Sequence, residues 1–178
     1  FFLYLPFSVG HGPNLPSKAF EGKSRVGNYG DKIMESDYHV GRVLDALKDA
    51  NIDDNTIVVY ASDNGPTGDE FRNWSALGIP DMGSPGPFRG ALGAASEGSV
   101  RTFCFIRWPG HVKPDTKSYA MFSAMDFLPT FAAILGRNLP DDRPIDGVDQ
   151  TKVLTGESAT GARESLLSFV GGDLVAAR

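Results

Sequence analysis

The hydrophobic pattern changes period several times along the chain, and each change marks an element. Phe1 to Ser8 is aromatic and apolar on both faces, which predicts a strand buried inside a sheet. Gly10-His11-Gly12-Pro13 breaks that run into a loop. From Asp31 to Ala50 the period becomes helical, with Ile33, Val40, Val43, Leu44 and Leu47 on one stripe and Asn51 as a C-terminal stop. After the turn Asp53-Asp54-Asn55, the β-branched run Thr56 to Ala61 predicts a second buried strand.

Between Gly65 and Gly90 the pattern is lost to glycine and proline, predicting a long and functional loop. Thr102 to Trp108 restores an apolar strand, closed by Pro109-Gly110. Ser123 and Asp126 then resemble a capping box in which Asp replaces the usual Glu or Gln. The helix it opens, Ala124 to Leu135, stops at Gly136, and Pro129 is placed where it would kink it. The terminal run Asp173 to Arg178 reads as part of a strand. Both ends have the character of interior sequence, so the chain is expected to be a piece of something longer.

Strand, helix, strand, loop, strand and helix in alternation predict an α/β fold with a mostly parallel sheet flanked by helices. In such sheets ligands gather at the carboxyl ends of strands. Two of the predicted strands end in polar residues, one at His11 and one at Asp63-Asn64.

Composition narrows the function classes. The 178 residues are 41% hydrophobic and 22% charged, which fits one globular domain. A net charge of −5 with scattered basic residues argues against nucleic acid as a partner. No apolar run approaches the roughly 20 residues needed to cross a bilayer. The single cysteine, Cys104, excludes an intrachain disulfide and lies in an apolar strand, where an inert core thiol is expected.

The chemistry-bearing residues are few. Asp63-Asn64 offers a carboxylate beside an amide oxygen, a hard donor set suited to calcium or magnesium, with Gly65 letting the chain turn away. The same tripeptide is also an excellent turn. His11 has the means to donate to an anion or protonate a leaving oxygen, or is simply a loop histidine. His39 and His111 read as surface residues. Arg89 to Arg101 mixes glycines with two arginines and Glu97, but without the Gly-Lys-Ser/Thr ending it is not a phosphate-binding loop. No Gly-x-Ser-x-Gly elbow is present.

In order and spacing, these segments resemble the sulfatase family of the alkaline-phosphatase-like superfamily. The matching stretches are Phe1 to Pro16 with His11-Gly12-Pro13, Met34-Glu35-Ser36-Asp37 with Val40 to Leu44, and Thr56 to Gly65. They continue in Arg89-Gly90 through Glu97 to Arg101, Arg107 to Gly110, Asp126 to Thr130, and Asp146 to Asp149 with Leu154-Thr155-Gly156. The resemblance implies an incomplete alkaline-phosphatase-like fold. The chain would be the C-terminal portion of a sulfatase catalytic domain, with roughly the last 15 residues entering a C-terminal subdomain.

It also implies sulfate-ester hydrolysis by a calcium-assisted formylglycine mechanism. Asp63 and Asn64 match the later pair of calcium ligands, and His11 matches the histidine that contacts sulfate and helps the alcohol depart. Family members work in the periplasm, the lysosome or outside the cell.

Two departures stand out. The Cys/Ser-x-Pro/Ala-x-Arg motif that yields formylglycine is absent, since Cys104 is followed by Phe105-Ile106-Arg107. Where the family commonly places a sulfate-contacting lysine, this chain has Leu92, and Arg89 is the nearest substitute cation. The expected substrate is a sulfated small molecule or polysaccharide, selected by the Gly65 to Pro87 loop through Phe71, Trp74 and Met82, unless these pin the loop instead. The alternatives are a metal-dependent phosphodiesterase or phosphonate hydrolase of the same superfamily, and a non-catalytic sulfatase-like binding protein, which Leu92 would favour.

Overall fold

The computed structural model describes residues 1–67 and 83–178, so Phe71, Trp74 and Met82 lie outside the described residues. The chain divides into two compact units, Phe1–Asp53 with Ala61–Cys104, and Asp54–Tyr60 with Phe105–Arg178.

The first unit is organised around α1 (Gly27–Asp49). Its second half carries the expected apolar stripe, with Val40, Val43, Leu44 and Leu47 half-buried. Its first half does not: Ile33 is exposed, and the buried positions are Gly30, Asp31, Glu35 and Ser36. The reason is the loop lying against that half, whose N–H groups need acceptors. Asp31 accepts from the Gly22 and Ser24 amides at 2.8 and 2.6 Å. Glu35 accepts from Lys32 Nζ at 3.0 Å and from the Ser17 amide at 3.3 Å. These bonds favour the charged form. The Ser24 amide chiefly holds the Asp31 carboxyl below its ordinary value, and Lys32 does the same for Glu35.

The helix ends as the sequence predicts. Asn51 takes a left-handed φ of 55°, its amide bonds to the Lys48 carbonyl at 2.8 Å, and the Ile52 amide reaches Leu47 at 3.1 Å. Together these satisfy two orphan carbonyls in a Schellman motif.

The opening run is a correction. Phe1 to Ser8 forms no strand, and Phe1, Phe2 and Tyr4 are exposed. A strand exists only through hydrogen bonds to neighbours, and no described strand runs beside these residues. Apolar character on both faces is a statement about a partner, and it cannot make one.

The strands Thr56 to Ala61 and Thr102 to Trp108 appear in shorter form as β1 (Val58–Ala61) and β2 (Cys104–Arg107), hydrogen-bonded neighbours in a two-stranded sheet. Cys104 is exposed, not a core thiol: the first half of β2 is exposed and only Ile106 and Arg107 are half-buried. Between the strands lies α2 (Glu97–Val100), one short turn.

In the second unit the capping box forms: the Ser123 amide donates to Asp126 Oδ2 at 2.8 Å, while the Ser123 hydroxyl accepts from Met125. It opens a 3₁₀ turn, Ala124–Asp126, followed by α3 (Phe127–Ile134). That preliminary turn places Pro129 in the first turn of the α-helix, where its missing N–H has no intrahelical partner to lose, so Pro129 is buried inside α3 and starts rather than breaks it.

Gly136, at φ 60°, closes α3, with its amide on Ala133 and the Arg137 amide on Ala132 at 2.8 Å. A side chain in that conformation costs about 1–2 kcal/mol. Gly136→Ala is therefore expected to lower stability by that amount, read from the urea midpoint at unchanged slope.

Beyond α3 lie α4 (Thr151–Leu154) and an antiparallel hairpin, β3 (Leu167–Val170) with β4 (Asp173–Ala177), joined through Gly171-Gly172. The terminal strand predicted from Asp173 is thus present. Two buried side chains tie these pieces to α3. Gln150, 1% exposed, donates to the Met121 carbonyl and accepts from Ala162, while its amide bonds to Thr130 Oγ1. Asp126, fully buried, accepts from Val148 and from both Nε and Nη2 of Arg163.

Candidate functional site

The Asp63-Asn64-Gly65 segment leaves the end of β1 within the first unit and is fixed there by backbone contact. The Gly65 amide donates to the Ser99 carbonyl at 2.7 Å, and Gly65 is buried against the carbonyl of Gly98 so closely that no Cβ fits. Gly98 in turn presses on the carbonyls of Arg89 and Gly90, again without room for a Cβ, and its amide donates to Arg89 at 2.8 Å. Ser96 Oγ donates to the same Arg89 carbonyl at 2.8 Å, and the Leu92 amide reaches Pro66 at 2.8 Å. Glycine at 65 and 98 is therefore a packing requirement.

This stack joins the Asp-Asn segment to the Arg89–Val100 segment. Sequence reading saw the glycines of both but not that they meet. Their spacing was the only signal, and spacing does not say which backbone faces which.

Within the segment, donors and acceptors are partly committed. Asp63 is exposed, and its Oδ1 accepts from the Asn64 amide at 2.9 Å. The Ser62 hydroxyl donates to the Asn64 carbonyl at 3.1 Å. Asn64 Nδ2 donates to the Gly65 carbonyl at 2.8 Å, which fixes the amide and leaves its oxygen as the remaining ligand atom. The pair thus offers hard oxygens of the kind calcium takes. Two residues do not complete its usual six to eight ligands, and the described residues hold no cluster of three or more His, Cys, Asp or Glu placed to bind a metal. The donor chemistry fits a cation; the number of donors makes it part of a site.

His11 lies in an exposed loop, not at a strand end. Its Nδ1–H donates to the Gly12 carbonyl at 2.7 Å, so Nε2 is the nitrogen left for another group. Among the described residues no hydrogen bond joins it to Asp63, Asn64 or Arg89. Arg89 is held by its backbone, while its exposed guanidinium makes no hydrogen bond or ion pair with a described residue. The neighbouring cation behaves differently: Arg101 pairs with Glu97 at 3.3 Å and lies 4.4 Å from the Phe88 ring centre. Leu92 is exposed at its place between them. His39 contacts Arg42 and Tyr38, and His111 stacks on Trp108, so both have local structural partners.

A profile of the sulfatase family matches residues 1–137. Over its full length the chain is 37% identical to mouse steryl-sulfatase, covering 28% of that protein. Over 84% of its length it is 37% identical to human N-acetylgalactosamine-6-sulfatase, covering 27% of it. A solved sulfatase from a Pseudoalteromonas species superposes with a TM-score of 0.83 at 27% identity, over 94% of this chain and 32% of that one. The chain therefore spans less than a third of the relatives it matches.

Proposed function

The chain belongs to the sulfatase family, and from that premise we propose that it is the C-terminal portion of a catalytic domain whose whole protein hydrolyses sulfate esters. The supporting observation is the fixed Asp63-Asn64-Gly65 segment, an oxygen-donor pair seated by Gly98 and Ser99 at the end of a strand. On this reading the two-stranded β1–β2 sheet is part of a larger, mostly parallel sheet of the alkaline-phosphatase-like kind. Asp63 and Asn64 hold calcium together with ligands supplied from outside this chain. The ion would place positive charge beside sulfate oxygens as the S–O bond breaks.

His11 acts through Nε2, the nitrogen its Gly12 contact leaves available, donating to a sulfate oxygen or to the departing alcohol. Arg89, whose guanidinium pairs with no described residue, takes the anion contact that Leu92 is unable to make. The formylglycine nucleophile lies outside these residues, none of which fits its motif.

The named relatives are a steryl-sulfatase and an N-acetylgalactosamine-6-sulfatase, and we assign this protein a sulfated small molecule or polysaccharide. No described helix is long and apolar enough to cross a membrane. The reading carries an exported location, periplasmic, lysosomal or extracellular, with it. Leu92 favours one competing reading, a sulfatase-like protein that binds without turnover.

A chromogenic aryl sulfate and a sulfated N-acetylgalactosamine, offered to the whole protein and to this chain alone, separate the possibilities. Release of sulfate by the whole protein, with none from the isolated chain, is the expected result. Calcium-dependent binding without turnover by the whole protein would establish the binding reading, and turnover of phosphodiesters in preference to sulfates would overturn the assignment.

A further inference from the structure

We infer that Asn64–Gly65 is a latent deamidation site that the backbone of Gly98 and Ser99 keeps closed. It is the one Asn–Gly step in the sequence. Asparagine is among the chemically labile residues, and glycine after it puts no side chain in the way of attack.

The chemistry requires motion. The Gly65 amide nitrogen must bond to Asn64 Cγ, the Cγ–Nδ2 bond must break, and the proton from the Gly65 N–H leaves with Nδ2 as ammonia. Water then opens the five-membered imide. Opening at the side-chain carbonyl gives aspartate; opening at the main-chain carbonyl gives isoaspartate, with an extra methylene in the backbone.

Both nitrogens of the first step are otherwise engaged. The attacking nitrogen donates its proton to the Ser99 carbonyl at 2.7 Å. The leaving Nδ2 is held by the Gly65 carbonyl at 2.8 Å, and the Ser62 hydroxyl holds the Asn64 carbonyl at 3.1 Å. Gly65 is buried, with the Gly98 carbonyl where a Cβ would stand, so its backbone is packed closely against that of Gly98. Reaction then proceeds only from a locally opened state, at a rate set by how seldom the segment opens. The glycine that permits tight seating would, in a free chain, also permit rapid loss of the amide.

Two measurements on the intact chain decide the matter. The chain is held warm at mildly alkaline pH, either folded or in urea, then digested, and the peptide carrying Asn64 is read by mass spectrometry for acid and isoaspartate. Conversion in the folded chain at least about tenfold slower than in urea is expected, because only the open fraction reacts. Equal rates in the two states would overturn the inference. Amide hydrogen exchange at Gly65 then tests the Ser99 bond itself: slow exchange supports it, and exchange as fast as in an unstructured peptide overturns it.

Discussion

Arg163→Met is expected to destabilise the fold by about 3–5 kcal/mol near neutral pH, since breaking one side of a buried ion pair leaves the other charge uncompensated. Asp126 is fully buried, and the Arg163 side chain is 8% exposed. Burial alone would raise the Asp126 carboxyl. The Arg163 hydrogen bonds and the amides of Val148 and Ser123 outweigh it and hold the group below its ordinary value. The same contact raises the Arg163 guanidinium.

Arg163 also donates to the Asp146 and Ser165 carbonyls, so one side chain ties the capping turn of α3 to the segments on either side of α4. Because the folded-state value of Asp126 is depressed, its contribution is complete above the unfolded carboxylate value and is lost as pH falls through the folded one. The difference between native and variant should be largest near neutrality and shrink in acid. Urea unfolding at several pH values reads both features, and a deficit that stayed constant into strong acid would detach it from the Asp126 charge. Asp126→Asn with Arg163→Met should cost less than the two single losses combined, as expected for side chains in contact.

The contrast between Asp126 and the opening strand shows what was legible in the chain. Local signals read well: the capping box, Gly136 and Asn51 as helix stops, and the β-branched and apolar strands were each visible as residue types in fixed order. They depend on neighbours a few residues away, and those are written beside them. The composition of Phe1 to Ser8 suits a buried strand, but burial requires a partner strand that composition does not supply. Asp126 was legible as a cap, whereas its pairing with Arg163 was not, since many arginines lie at comparable distances along the chain.

The site divides the same way. Asp63 and Asn64 stood out as oxygen donors after a strand. That Gly98 and Ser99 seat them was hidden, because close approach of two backbones leaves no mark beyond the glycines that allow it. The resemblance to sulfatases ordered the segments without showing which backbones meet, and the family match bears out the resemblance itself.

In the whole protein of which this chain is proposed to be part, Asp63→Ala should weaken calcium binding by at least about tenfold and lower activity with it, since losing even a residue that only orients a metal ligand costs that much. The change is well placed as a test because it costs the fold little. Asp63 is exposed, and among the described residues its bonds run only to the adjacent Asn64 amide and Ser62 hydroxyl. Calcium titration of the stripped protein gives affinity without reference to turnover, and the rise in melting temperature on adding calcium gives it a second way, since a ligand of the folded state stabilises in proportion to its affinity. Asp63→Asn keeps an oxygen but removes the charge and should fall between native and Asp63→Ala. If calcium dependence and calcium-linked stabilisation were unchanged in Asp63→Ala, Asp63 would be a turn residue and the metal would lie elsewhere. If affinity fell while turnover at saturating calcium stayed native, Asp63 would be a ligand whose charge the chemical step does not use.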